Sequence, residues 1–113
     1  MDYGEIKTRM QNNLMTKCNN RGLTYVTQED IQDEIEFAIF AVNNRRRFEA
    51  TPSTPFETQY EDLIVQLALA SITKMGAEGQ KSHSENGISR SYDSAGNYPE
   101  ALLSMIVPLA KAR

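Results

Sequence analysis

Apolar side chains recur at every fourth position near the start of the chain, where Ile6, Met10, Leu14 and Cys18 stand in an otherwise polar stretch. That repeat places all four on one stripe and predicts a helix over residues 4–18 with a narrow apolar edge. Asn19-Asn20-Arg21-Gly22 supplies its stop, with Gly22 able to take the left-handed conformation that helix ends often need. Thr27 followed three residues later by Asp30 has the pattern of a reciprocal N-terminal cap, so a second helix is expected over 28–44. Ile31, Ile35, Ala38, Ile39 and Val42 form its main face. Phe37, Phe40 and Ala41 widen the apolar arc beyond a single seam, which predicts contact on two sides.

The pattern breaks between Asn43 and Pro55, where two prolines and several cap-forming residues read as a connector. Thr54-Pro55-Phe56-Glu57 combines a hydroxyl, a proline and a glutamate at the spacing of a helix start, so a third helix is expected from Pro55 to residue 75. Tyr60, Leu63, Ile64, Leu67, Ala68 and Ser71 make one face of it, and Val65, Leu69, Ile72 and Met75 carry apolarity around the rest. A helix apolar nearly all round belongs at the centre of a core. Residues 77–98 contain little that can be buried. Asn86-Gly87 favours a two-residue hairpin turn, with Ser82–Glu85 facing Ile88–Tyr92 in a ribbon. Such a ribbon is marginal alone in water, so Ile88 and Tyr92 are expected to rest on another surface, that of a second chain. A short last helix is expected over 99–106, docked through Leu102, Leu103, Ile106 and Met105 and ended by Val107-Pro108. Residues 109–113 follow as a mildly basic tail. The expected fold is all-α: one domain spanning residues 1–113, a small bundle of three to four helices with a long loop or β-hairpin arm before the last one.

Composition changes this picture in a few places. The 113 residues suffice for one domain, and 12 Lys and Arg against 15 Asp and Glu leave a net charge of −3. Neither half of the chain is strongly biased, which argues against a sequence-reading DNA binder. A single cysteine, Cys18, excludes an internal disulfide and points to a reducing interior. Neither a leader nor a membrane-length apolar run is read from the sequence. Glu29, Asp30, Asp33, Glu34 and Glu36 lack the spacing of a calcium loop and are expected to form a solvated face favoured by the helix dipole.

Ser82-His83-Ser84-Glu85 assembles the residue types of a hydrolase, but neighbours on a strand alternate faces and no G-x-S-x-G turn is present. With one histidine and one cysteine, a zinc site would need mostly carboxylates. No enzymatic activity, metal or cofactor is expected. Arg45-Arg46-Arg47 is a candidate contact to DNA or to other charges, because consecutive guanidiniums can neutralise phosphates. The competing reading pairs them with the helix dipole and with Asp33, Glu34, Glu36 and Glu49.

The helix carrying Tyr60-Glu61-Asp62-Leu63-Ile64 and Leu67-Ala68 is followed by Gly76-Ala77-Glu78-Gly79 and by Ser82-His83-Ser84-Glu85-Asn86-Gly87-Ile88-Ser89-Arg90-Ser91-Tyr92. Pro99-Glu100-Ala101-Leu102-Leu103 and Ile106-Val107-Pro108 complete the set. Over residues 27–108 this order resembles the head–tail connector (adaptor, or head-completion) family of long-tailed bacteriophages and prophages. The resemblance implies a structural subunit of a dodecameric ring that lies beneath the portal protein and continues the DNA channel towards the tail. Implied partners are other copies of the chain, the portal protein, a tail or stopper protein, and DNA passing without sequence-specific contact. The place implied is the virion, after assembly in the host cytoplasm. On this reading Ser82, His83, Ser84, Asn86, Gly87, Ile88, Arg90 and Tyr92 form an arm at the subunit interface, and Leu109, Lys111 and Arg113 contact the portal. The alternative is a small helical adaptor or nucleic-acid-associated module acting through Arg45, Arg46 and Arg47.

Overall fold

The centre of the fold is a helix buried over most of its circumference. A computed structural model describes residues 2–77 and 98–109. Its elements are α1 (Tyr3–Asn20), α2 (Gln28–Arg46), a single 3₁₀ turn (Thr58–Tyr60), α3 (Glu61–Ala77) and the one-turn α4 (Glu100–Leu103). Every regular element among the described residues is helical, as the pattern predicts for an all-α bundle. Leu63, Ile64, Val65, Leu67, Ala68, Leu69, Ile72 and Met75 of α3 are all buried. The stripe Ile6, Met10, Leu14 and Cys18 covers α3 from α1, and Ile31, Ile35, Ala38, Ile39 and Val42 cover it from α2. Leu103 and Ile106 close the end.

Helix ends follow local chemistry. Asp2 caps α1 by accepting from the Glu5 amide at 3.1 Å, a start that the four-residue repeat does not reveal. At its other end Gly22 takes φ 72°, the Leu23 amide donates to the Cys18 carbonyl and the Gly22 amide donates to that of Asn19. This is the 6→1 and 5→2 closure that satisfies carbonyls left open by the last turn. Thr27 and Asp30 form the reciprocal cap of α2, each backbone amide donating to the other's side chain at 3.1 Å. The Tyr25 hydroxyl donates to the Ile72 carbonyl at 2.9 Å and pins the α1–α2 connection onto α3.

Four expectations need correction. The third helix starts at Glu61, six residues after Pro55, and Thr54 is not its cap. The Thr54 amide instead donates back to Thr51, closing a tight turn, while the Pro55 carbonyl accepts from Asn43 Nδ2 at 3.0 Å. Phe56 is drawn into the core, fully buried and edge-on to Tyr3 with ring centroids 5.2 Å apart. Burial of that ring outweighs the local helix-start signal. The last helix ends at Leu103 rather than 106, with turn-type bonds continuing to Ile106, and Met105 is exposed instead of docked. On α2, Phe37 is only half-buried and Phe40 is exposed, so the buried arc is narrower than expected. Asp30 and Glu34 are buried rather than solvated, and both make polar interactions.

The two threonines separate the observed start from the expected one. Thr27→Ala is expected to lower stability by about 0.5–2 kcal/mol, whereas Thr54→Ala, whose side chain caps no helix, is expected to stay within about 0.5 kcal/mol of the parent. Urea denaturation midpoints of the two variants check this.

Candidate interaction surface at the C-terminal corner

The end of α2, the entry to α3 and the last described residues meet at one corner, and the arginine run lies in its middle. The structure sends the three guanidiniums to different tasks. Arg45 Nη2 lies 2.9 Å from Glu100 Oε2, at the first residue of α4. Arg46 Nε lies 2.9 Å from Glu57 Oε1 and its Nη2 lies 3.5 Å from Glu57 Oε2. The same guanidinium sits 5.8 Å from the centroid of the Tyr60 ring, and its Nη1 donates to the Val107 carbonyl. The Arg46 carbonyl accepts from the Leu109 amide at 2.8 Å. Arg46 is largely covered, its side chain 17 % exposed. Arg47 closes α2 in the left-handed region, at φ 63° and ψ 38°, with its side chain in solvent.

The hydrogen bond that Arg46 donates to Glu57 raises the arginine's pKa further above its already high ordinary value, against the opposing effect of burial. A second fork joins α1 to α3: Arg9 donates to both oxygens of Glu61, at 2.7 and 2.8 Å. That hydrogen bonding holds the Glu61 carboxyl below its ordinary value although burial opposes it. Lys7 pairs with Glu36 at 2.7 Å. Burial pushes the Cys18 thiol up, with nearby Glu34 adding to the shift and Arg21 opposing it, so little of it is the reactive thiolate.

The expected acidic partners of Arg45 and Arg46 are therefore replaced by Glu100 and Glu57, which lie 55 and 11 residues away in the chain. Sequence spacing holds no signal for either pair. Leu109, read from the sequence as the start of a basic tail, is tied through its amide to α2, while its side chain is 38 % exposed. Met105 and Val107 are exposed beside it at 59 % and 64 %. Three apolar residues after the end of a helix are the cue in the sequence to this surface. Of the remaining candidates, Lys111 and Arg113 lie outside the described residues, as do Ser82, His83, Ser84, Asn86, Gly87, Ile88, Arg90 and Tyr92 of the arm. Among the described residues no group of His, Cys, Asp and Glu could hold a metal, and no helix is long and apolar enough to cross a membrane. A cavity of about 270 Å³ is lined by Asn13, Lys17, Asp62, Val65 and Gln66.

Fold and corner define the class: a small all-α protein whose arginines and carboxylates fasten helices to one another, with apolar side chains left outward at one end. Comparison with known protein families matches residues 5–109 to the phage gp6-like head-tail connector proteins. The chain belongs to that family, and its role is that of a phage head–tail connector. No curated protein and no solved structure matched the chain.

Two predictions follow from these side chains. Glu61 has a folded pKa below its unfolded value, so its pairing stabilises the fold above the unfolded value and is lost as pH falls through the folded one. Glu61→Gln should therefore lower the melting temperature at pH 7, with the gap to the parent closing as pH falls below the ordinary carboxylate range and narrowing in high salt. For Arg47, glycine removes the cost of a left-handed side-chain-bearing residue but loosens the unfolded chain. Arg47→Gly should raise stability by about 0.5–1 kcal/mol in urea denaturation.

Proposed function

We propose that the protein is a ring-forming structural subunit, dodecameric in the virion, that docks beneath the portal and continues the DNA channel from capsid to tail. The family match across residues 5–109 carries the reading. Three features of the molecule support its parts. Met105, Val107 and Leu109 offer apolar area at the end that leads into Lys111 and Arg113, an arrangement suited to a portal contact with an apolar centre and a charged rim. Phe40, exposed on α2, gives that helix a second apolar face for a neighbouring subunit in a head-to-tail ring. Arg45 and Arg46 are occupied by carboxylates, which suits DNA that slides past without being gripped. The same occupancy disfavours the alternative of a nucleic-acid-associated module working through the arginine run. In this reading the arm from Ser82 to Tyr92 lies on the adjacent subunit, a tail or stopper protein binds the far face of the ring, and the protein performs no catalysis. Assembly takes place in the host cytoplasm.

Native mass spectrometry and light scattering over rising concentration, with and without purified portal protein, test this directly. Rings or portal-bound oligomers are expected; a monomer under every condition overturns the reading. Within it, the double variant Ile88→Ser, Tyr92→Ser should weaken assembly with helix content unchanged. Deleting residues 110–113 should leave melting unchanged yet reduce portal capture, because many tails in one ring act together and linkage can raise avidity by roughly 10²–10⁴. Equal capture by the truncated chain would remove Lys111 and Arg113 from the contact.

A further inference from the structure

Residues 104–109 leave the bundle after α4 and form no regular element, yet they are held at several points. The Ile106 side chain is buried, and its amide donates to the Leu103 carbonyl at 3.0 Å. The next two anchors both involve one residue of α2. Arg46 donates from its side chain to the Val107 carbonyl and accepts at its backbone from the Leu109 amide. Between them Pro108 has no amide to leave unsatisfied and a φ confined by its ring. The carbonyl that Leu109 meets belongs to the last turn of α2, where carbonyls lack helical donors. Glu57 and Tyr60 hold the guanidinium from the opposite side.

We propose that Arg46 is the fastening of a C-terminal strap, which keeps residues 106–109 in one conformation in the free subunit and so presents Met105, Val107 and Leu109 as a preformed apolar surface. The partner of that surface rests on the docking reading above: an apolar patch of the portal protein. Preforming the strap removes an ordering cost that a loose tail would meet on binding. A lysine replaces the arginine only in part, because a single ammonium lacks the planar fork that spans Glu57 and the Val107 carbonyl together.

The test is residue-resolved amide hydrogen exchange on the full chain, comparing the parent with Arg46→Gln, Arg46→Lys and Glu57→Gln. In the parent the Leu109 amide should be protected. In Arg46→Gln it should exchange at least about tenfold faster through local opening, while amides of Met10, Ile35 and Leu67 keep their rates. Arg46→Lys should fall between parent and Arg46→Gln, and Glu57→Gln should also speed Leu109, serving as the milder probe should Arg46→Gln lose its core protection. An unprotected Leu109 amide in the parent, or one unaffected by both Arg46→Gln and Glu57→Gln, overturns the strap. Capture by purified portal is measured on the same proteins. Arg46→Gln is expected to bind more weakly; release of Leu109 with undiminished capture overturns the presenting role. Failure of the parent to bind portal at all would overturn the docking reading and this role with it, while the exchange rates still decide whether the strap exists.

Discussion

The need to cover α3 governs this structure. Its buried side chains occur at consecutive positions, Leu63, Ile64 and Val65 and then Leu67, Ala68 and Leu69, so they point around most of the circumference and leave only a stripe with Asp62, Gln66 and Thr73 to solvent. No single partner helix can shield such a surface. α1 contributes a stripe one residue wide per turn, α2 a broader face, and the remaining end is closed by Phe56, Leu103, Ile106 and Tyr98 from segments that are scarcely helical. The irregular parts are therefore as necessary to the core as the helices. Each buried apolar group contributes roughly 1.5–3 kcal/mol relative to exposure, and four such groups come from outside α1, α2 and α3.

That requirement explains the course of the chain before α3. Were helix to begin at Pro55, Phe56 would lie in its first turn and the path from the turn at Thr51–Thr54 would be different. Instead the chain stays out of helix long enough to put the Phe56 ring against Tyr3, and Asn43 Nδ2 donates to the Pro55 carbonyl. Glu57 then emerges beside Arg46, and the helix forms only after a 3₁₀ turn. One buried ring thus moves the helix start and brings a carboxylate to the end of α2.

How far the sequence could be read follows from the range of the forces involved. The stripe of α1, the Thr27–Asp30 cap, the Gly22 stop and the all-round apolarity of α3 are local patterns, and each appears where the pattern lies. Thr54-Pro55-Phe56-Glu57 is also a local pattern, but Thr54 closes a turn with Thr51 and the other three residues meet partners elsewhere in the chain, so the signal misleads. Phe40 shows the converse: an apolar residue on an amphipathic helix is not obliged to be buried, since folded surfaces keep much apolar area. The corner was the least legible. Its polarity could be expected from the helix dipole, whereas the identity of its partners depends on where α4 and the α3 entry are placed in space.

The choice between arginine and lysine in this chain has a geometric sense. Arg9 meets both oxygens of one carboxylate, and Arg46 meets a carboxylate, an aromatic face and a backbone carbonyl from a single plane. Lys7, by contrast, serves one oxygen of Glu36. A rigid fork suits joints where several groups from different segments must be held in fixed relation, and a point charge suits a single exposed pair. An arginine run at the end of a helix is then ambiguous by composition alone, because the same planar group that recognises phosphate also locks protein segments together. Here Glu57 and Glu100 resolve the ambiguity for two of the three: their guanidiniums are engaged within the subunit, and the charge that Arg45 and Arg46 would offer to a passing polyanion is already balanced.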